Sequence, residues 1–190
     1  MPLLFDAFRL VKELELKDGE IHIMKTPVCF AFTHILVDLQ KDLIENIGFK
    51  KTYFQLYETN KSGSKKYNES FIKKHDFNDK RKVLNWQINI VTLGGWGKFE
   101  VMYINLKENK LRIKFDNSPF PKMYGRSNYP VCILATGFTA GGAAANFGVE
   151  VDALETKCVA LGAPFCEIMF AGPEEIKEKR TEQWKALGLV

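Results

Sequence analysis

The sequence has few histidines and prolines and lacks a long apolar run. Its 190 residues include three His and seven Pro. The histidines are scattered at His22, His34 and His75, so they do not indicate a nucleophile–base pair. The longest apolar stretch, residues 131–147, is interrupted by Thr, Gly and Asn and falls short of the ~18 residues that span a bilayer. The N-terminus lacks the basic and apolar regions of a secretory signal. We therefore expect a cytoplasmic protein without a membrane span.

The charge of the chain has only a small positive excess. There are 27 Lys and Arg against 23 Asp and Glu, and much of the excess lies within residues 50–82. Aromatic residues interleave with these lysines, as in surfaces that stack on nucleic-acid bases. Acidic residues dilute the cluster, and a helix-turn-helix pattern is absent. The segment is therefore interpreted as a solvated helical surface, and no nucleic-acid partner is expected.

The N-terminal half is predicted to be mostly helical after one hairpin. Asp18-Gly19 between alternating flanks predicts a hairpin over residues 14–24. Thr26-Pro27 predicts the start of a helix that ends at Gly48. Further helices are expected over residues 51–59, 69–74 and 79–92. Asn60-Lys61-Ser62-Gly63-Ser64 is typical of an exposed loop.

The C-terminal half alternates strands and helices. Met102, Ile104 and Leu106 are expected to face inward across a turn from a second apolar row, Leu111, Ile113 and Phe115. The remaining predicted elements are an excursion over 118–130, a Gly- and Ala-rich helix over 131–146, a hairpin over 149–170 and a helix from Pro173. Together these patterns predict one α+β domain over residues 1–190, with helices packed on one side of an antiparallel sheet. Its helical part covers about 1–93, and its motif-bearing part covers about 94–190.

Four potential metal ligands are close together in the last third: Cys132, Glu155, Cys158 and Cys166. A turn centred on residues 162–163 places Cys158 opposite Cys166, so that both thiolates can share one zinc ion. Glu155 can join them only if its strand bulges or ends nearby. Three thiolates and one carboxylate fill a tetrahedral shell, which indicates a structural rather than a catalytic zinc.

Two other readings of the cysteines stay open at this point. Free cysteines often only fill space in a core, and we interpret the isolated Cys29 in that way. A disulfide between Cys158 and Cys166 is the second alternative, although a reducing compartment disfavours it. The spacing is not a paired Cys-x-x-Cys pattern, so the metal site does not follow from spacing alone.

The same region resembles the vinyl-4-reductase domain family. The resemblance is carried by Val131-Cys132, residues 137–141 (Gly-Phe-Thr-Ala-Gly), residues 155–162 (Glu-Thr-Lys-Cys-Val-Ala-Leu-Gly) and Phe165-Cys166. It implies a ligand-binding fold shared with nitric-oxide-signalling and Golgi-transport domains. It also implies a zinc held by Cys132, Glu155, Cys158 and Cys166, an apolar pocket between helices and sheet, and a homodimer.

The implied function is the binding or sensing of a hydrocarbon or another apolar molecule, with a regulatory output. Trp96, Phe115 and Phe138 are predicted to line the pocket, against the alternative that they only pack the core. Phe115 takes the position of a Trp that engages phenol in the related sensors. The family name suggests a second function, a reductase or accessory factor that acts on an apolar or tetrapyrrole substrate. No dinucleotide-binding Gly-x-Gly-x-x-Gly pattern supports it, and catalytic residues are not predicted.

Overall fold

The computed structural model describes residues 14–23 and 26–189, beginning with a small antiparallel sheet. Its order is β1-β2-β3, formed by Leu14–Lys17, Glu20–Ile23 and Thr26–Val28. Asp18 and Gly19 take the positive φ angles, 51° and 86°, that suit a two-residue hairpin turn, which confirms the predicted hairpin. Met24, the last residue of its predicted range, lies outside the described residues.

The predicted helix start at Thr26-Pro27 is wrong. Pro27 pairs with His22 on the outer strand of this sheet, where a residue without an N–H is tolerated. Helix α1 begins only at Thr33 and runs over Thr33–Ile47. It ends as predicted at Gly48, whose φ is 83° and whose N–H bonds to the Ile44 carbonyl at 2.9 Å.

The helices predicted over residues 51–59 and 69–74 form one continuous helix, and the helix predicted over 79–92 has nearly the bounds that the structure shows. Helix α2 runs without interruption over Phe49–Lys74, and α3 covers Lys80–Leu93 with the Asp79 side chain capping its first turn. The loop predicted over residues 60–64 is therefore wrong, because this stretch is the middle of α2. Ser64 is buried there at 3% exposure, which shows that tertiary packing holds the segment in the helix.

The packing partner of α2 is the Gly-rich helix α5, which covers Ile133–Phe147. A Cβ atom on Gly141 would lie 2.2 Å from the Lys61 carbonyl oxygen, and one on Gly137 would lie 2.4 Å from that of Tyr57. The two backbones are thus in direct contact, at a distance that only glycine permits. This contact explains why residues 60–64 are helical despite their loop-like composition.

The second sheet is antiparallel with strand order β4-β5-β7-β6. Its strands are Lys98–Asn105, Lys110–Asp116, Asp152–Lys157 for β6 and Cys166–Ala171 for β7. The inward row Leu111, Ile113 and Phe115 is buried, as predicted. The prediction for Met102 is wrong, because a register shift between Val101 and Tyr103 leaves Met102 46% exposed.

Two further helices lie in the C-terminal half of the described residues. Helix α4 covers Pro119–Tyr124, and α6 covers Pro173–Ala186 with acidic residues in its first turn, as predicted. Helix α5 shares the main hydrophobic core with the inward rows of β5 and β7, whereas Ile176 of α6 packs on Leu154 and Ala171 of the other sheet face. The predicted α+β class with an antiparallel sheet is confirmed. Among residues 14–23 and 26–189, no helix is both long and apolar enough to cross a membrane.

Candidate metal centre and adjacent cavity

The structure brings together the four residues predicted as metal ligands. Cys132 is the N-cap of α5, Glu155 lies on β6, Cys158 follows β6, and Cys166 begins β7. One ligand atom from each lies within 4.8 Å of every other, and all four residues are buried. All four cysteines of the chain are free, so the alternative of a Cys158–Cys166 disulfide is not present.

A bulge in β6 places Glu155 among the sulfurs. The register of β6 against β7 shifts between Glu155 and Lys157, which adds one residue to the strand. Strict alternation would place Glu155 and Cys158 on opposite faces, and the extra residue returns them to one face. The bulge on which the sequence prediction depended is therefore present.

The cluster is held in place by backbone hydrogen bonds. The Cys132 N–H donates to Glu155 Oε2 at 2.9 Å, and the Val159 N–H donates to Cys166 Sγ at 3.3 Å. The Gln183 side chain of α6 donates to the Glu155 main-chain carbonyl at 2.7 Å, which links the last helix to the ligand-bearing strand. The other carboxylate oxygen, Glu155 Oε1, is buried without a hydrogen-bond partner among the described residues.

The spacing and chemistry of the cluster suit a metal ion. Cys132 Sγ and Cys166 Sγ are 3.7 Å apart. Two sulfurs that each lie ~2.3 Å from one tetrahedral zinc are roughly 3.8 Å apart. The unpartnered Glu155 Oε1 supplies an oxygen ligand, and a buried carboxylate without a cation is otherwise costly. A three-thiol, one-carboxylate cluster that can hold a metal ion is thus present.

Burial and mutual hydrogen bonding shift the pKa values of the cluster residues. Burial raises the pKa of the Cys132 thiol and of the Glu155 carboxyl well above their ordinary values. Hydrogen bonds from Cys132 and then Cys158 lower the pKa of the Cys166 thiol to about 5. A metal that binds all four groups would have to displace their protons.

A small cavity lies beside the same helix, between α2, α3, α5 and the sheet. It has a volume of about 30 Å³, room for about two water molecules. Its lining is largely apolar and comprises Tyr67, Asn68, Leu84, Trp86, Gln87, Ile88, Ile90, Val91, Leu111, Ile113, Phe138, Thr139, Gly142, Ala143 and Phe170. Seven of the lining residues are only partly buried, namely Tyr67, Trp86, Gln87, Ile88, Ile90, Phe138 and Thr139.

Only one of the three predicted pocket aromatics reaches this cavity. Phe138 lines it, whereas Trp96 stacks on the outer side of Phe138, with ring centroids 5.5 Å apart. Phe115 is buried in a stack with Phe99 at 4.7 Å and is not among the lining residues. The sequence prediction missed Gln87 and Asn68. Their only signal was a polar position inside the amphipathic pattern of a helix.

The structure also gives the positions of Cys29 and of the α2 lysines, for which the sequence suggested roles. Cys29, interpreted as a core residue, is exposed, so that interpretation is wrong. Two lysines of α2 form ion pairs, because Lys61 and Lys65 both pair with Glu150, and Lys61 also binds Asp152. These ion pairs connect α2 to the start of β6 and to the residue two positions before it.

Comparison with known proteins identifies the fold and tests the family resemblance. No curated protein matches the sequence. The phenol-responsive sensory domain of the transcription activator PoxR, crystallised with phenol, is similar in structure with a TM-score of 0.80. It is 19% identical, and the alignment covers 97% of this chain and 96% of that domain.

Two further solved structures share the fold more distantly. A vinyl-4-reductase family protein from Methanocaldococcus jannaschii has a TM-score of 0.52 and 18% identity, with 89% of this chain and 92% of that chain covered. A trafficking protein particle complex subunit 3 from Naegleria fowleri, covalently bound to palmitic acid, has a TM-score of 0.53 and 13% identity, with 73% and 93% covered. Residues 111–171 match the family model of the vinyl-4-reductase domain, which confirms the resemblance to that family.

Proposed function

We propose that this chain is a regulatory domain that binds a small, mainly apolar molecule and is braced by one structural zinc ion. The observation that carries the proposal is the largely apolar cavity enclosed by α2, α3, α5 and the sheet. Cavities of this kind, with a few polar groups among apolar walls, are typical small-molecule sites. Ligand binding accounts for the residues that line the cavity without assigning a reductase role to any of them.

The zinc part of the proposal is supported by the ligand set of Cys132, Glu155, Cys158 and Cys166. A site with three thiolates and one carboxylate has no open position for water, so its role is structural. Such a site needs reduced thiols, and we accordingly propose a cytoplasmic location. Purified protein is expected to contain about one zinc per chain by elemental analysis.

The ligand part is supported by similar folds that hold small molecules. One neighbour is described as phenol-responsive, and another is covalently bound to palmitic acid. The present cavity of about 30 Å³ is smaller than the ~300–1,000 Å³ of drug-sized pockets, so a ligand must widen it. Trp86 and Tyr67 are two of the partly buried lining side chains, and we propose that their displacement would open the cavity from the surface.

A cavity-filling substitution tests the ligand site directly. Ala143→Leu adds three carbons to the cavity wall, whereas Ala145→Leu adds the same atoms to the same helix outside the lining. We expect native mass spectrometry and thermal-shift screening of apolar ligands to give binding to the wild type and to Ala145→Leu. Binding by Ala143→Leu should fall at least tenfold. Equal binding by both variants, or no binding by the folded wild type, would refute the site.

We also propose that the protein forms a homodimer through an exposed apolar surface. Phe30, Phe32, Ile35 and Leu39 are 80%, 74%, 53% and 51% exposed around the start of α1. Contiguous apolar residues of this size on a soluble protein mark an interaction site. Light scattering should give twice the chain mass for the wild type and for the control Asp42→Lys, and the monomer mass for Leu39→Lys. A monomeric wild type would refute the dimer.

We further propose that the described residues fold as one domain rather than two. Tyr57 of α2 donates a hydrogen bond to Asp152 at 2.9 Å, and α2 contacts α5 through backbone at Gly137 and Gly141. These contacts join the predicted helical and motif-bearing parts. A single cooperative unfolding transition by two spectroscopic probes is expected, and separate transitions would indicate two domains.

A further inference from the structure

The main chain of Glu155 is held by a side chain of α6 that is not itself a candidate metal ligand. Gln183, in the last turn of α6, donates from Nε2 to the Glu155 carbonyl at 2.7 Å. That carbonyl belongs to the residue at which the register of β6 begins to shift, and this bulge brings Glu155 and Cys158 to one face. The hydrogen bond therefore acts on the stretch of backbone that directs the Glu155 side chain.

The amide group of Gln183 is not explained by its size. Its Oε1 is buried without a hydrogen-bond partner among residues 14–23 and 26–189, and a buried acceptor without a donor is costly. An apolar side chain of the same length would fill this space without that cost. Because a carbonyl can only accept, the amide nitrogen must face Glu155. The bond to Glu155 is thus what an amide provides here and an apolar side chain does not.

Helix α6 is fixed independently of this hydrogen bond. Trp184, the next residue, is 3% exposed and meets the rings of Phe49 and Tyr53 on α2 at centroid distances of 5.5 and 5.0 Å. About two turns earlier, Ile176 is fully buried against β6 and β7. The backbone at Gln183 is therefore placed by packing, and a group that is held in this way can position another one.

Glu155 is held at its carboxylate end as well. The Cys132 N–H donates to Glu155 Oε2 at 2.9 Å, which leaves Oε1 without a partner. We propose that Gln183 is a positioning residue for the metal site, which holds the β6 bulge so that the Glu155 carboxylate joins the three thiolates on one ion. The inference rests on the proposed zinc site and adds a residue outside its ligand set. Without the bond from Gln183, the carboxylate is held at one point instead of two.

Gln183→Met removes the donor at similar side-chain length and tests this role. Ile176→Val is the matched control, because it removes one carbon from another contact between α6 and the sheet and leaves the amide in place. Zinc affinity is measured by competition with a chromophoric chelator. Loss of a group that orients a metal ligand weakens binding by about 10–100-fold, and we expect that loss in Gln183→Met relative to Ile176→Val. Since both variants weaken the packing of α6, the difference between them reports on the metal site.

Cobalt(II) gives a second readout that a general loss of stability does not move. Its visible absorption depends on the kind, number and geometry of its ligands, and it is recorded at saturating cobalt. The spectrum of Ile176→Val should match that of the wild type. The spectrum of Gln183→Met should differ, because coordination by the carboxylate is weakened while the three thiolates remain.

The outcomes separate this inference from the proposed function. A zinc-binding wild type with equal affinities in Gln183→Met and Ile176→Val would overturn the positioning role and leave the zinc site in place. A weaker affinity with an unchanged cobalt spectrum would overturn it too, because Gln183 would then act only on stability. A folded wild type that binds neither zinc nor cobalt would overturn both. Gln183→Leu also lacks the donor and provides the same comparison if Gln183→Met does not fold.

Discussion

The two ends of helix α5 carry two different kinds of site. At its start, Cys132 joins three other ligands whose donor atoms already lie within 4.8 Å of one another. Two turns later, Phe138 and Gly142 line a cavity with about 30 Å³ of free volume. The donor atoms of the first site are already close together, whereas the second site has too little free volume for a ring-sized molecule.

The comparison shows how stability and responsiveness can be divided within one small domain. The cluster of candidate metal ligands joins α5 to β6 and β7, and Gln183 of α6 donates a hydrogen bond to its strand β6. The cavity lies where α5 meets α2 and α3, on contacts made of small residues and aromatic side chains. If the cluster stabilises the whole domain, substitutions of its residues should prevent cooperative folding. Substitutions at the contacts between the helices should then lower the free energy of unfolding by smaller amounts.

The largest effect is expected from loss of a metal ligand. Cys166→Ser removes a sulfur from the cluster, and structural zinc in small domains contributes about 10–16 kcal/mol of binding free energy that is coupled to folding. We expect the variant to purify without zinc and to lack a cooperative thermal transition. Elemental analysis and circular dichroism measure the two effects.

The matched control for this substitution is Cys29→Ser. Cys29 is exposed and lies outside the cluster, so one zinc per chain and an unchanged melting temperature are expected. A Cys166→Ser protein with full zinc content and wild-type stability would mean that the cluster is not the anchor, and the contrast between the two ends of α5 would disappear.

The second effect concerns the contact between α2 and α5. Gly141→Ala places a Cβ atom 2.2 Å from the Lys61 carbonyl oxygen and 2.7 Å from the Lys65 nitrogen, so the two backbones must separate. Overpacking of this kind costs about 1–3 kcal/mol or more in the free energy of unfolding. Denaturant titration should show a loss near the upper end of that range, with zinc retained.

Gly142→Ala is the neighbouring control for this contact. Its Cβ would meet the end of the Gln87 side chain at 3.3 Å rather than a backbone atom, and a side chain can shift. The loss of stability should therefore be clearly smaller than for Gly141→Ala. Equal losses would show that the cost arises from the helix itself rather than from the approach of α2.

The same two regions differ in how far the sequence predicted them. The four candidate metal ligands could be grouped because the chain has only four cysteines and the family resemblance added Glu155, and the need for a bulge near Glu155 follows from strand alternation. The middle of α2 was predicted as a loop because Ser62-Gly63-Ser64 has loop composition. The stabilising partner of that stretch, Gly141, lies far away in the sequence and leaves no local signal.

The cavity polar group was missed for a related physical reason. Gln87 and Asn68 form a hydrogen-bonded pair at the cavity only when α2, α3 and α5 bring two main-chain carbonyls against them. Neither residue type is unusual on a helix. Likewise Phe115 matched the family pattern of a pocket residue, but its stack with Phe99 places it away from the lining. The candidate metal ligands could be predicted from residue type, whereas the residues that line the cavity are determined by how the helices and the sheet pack.

A third and smaller loss of stability is expected at the contact between α2 and β6, the strand that carries Glu155. The buried Tyr57 hydroxyl donates to Asp152 Oδ1 at 2.9 Å and accepts from the Ala153 N–H at 2.8 Å. Tyr57→Phe leaves that N–H without a partner, which costs about 1–3 kcal/mol. Chemical denaturation should show this loss with zinc unchanged. Tyr103→Phe, at an exposed position, should be neutral, and a neutral Tyr57→Phe would separate α2 from the strand.

The smallest expected effect is a gain in stability. It tests the helical conformation of residues 60–64, which the sequence predicted as a loop. Gly63 lies on the exposed side of α2, and a Cβ atom there meets nothing within 4 Å. Because alanine is favoured over glycine inside helices, Gly63→Ala should stabilise the protein by about 0.5–1 kcal/mol. Denaturant midpoints at constant slope measure the gain. Gly148→Ala is the counterpart, since its φ of 72° disfavours alanine and predicts a loss. If Gly63→Ala were neutral or destabilising, residues 60–64 would not be helical in solution, and α2 would be too short to frame the cavity as described.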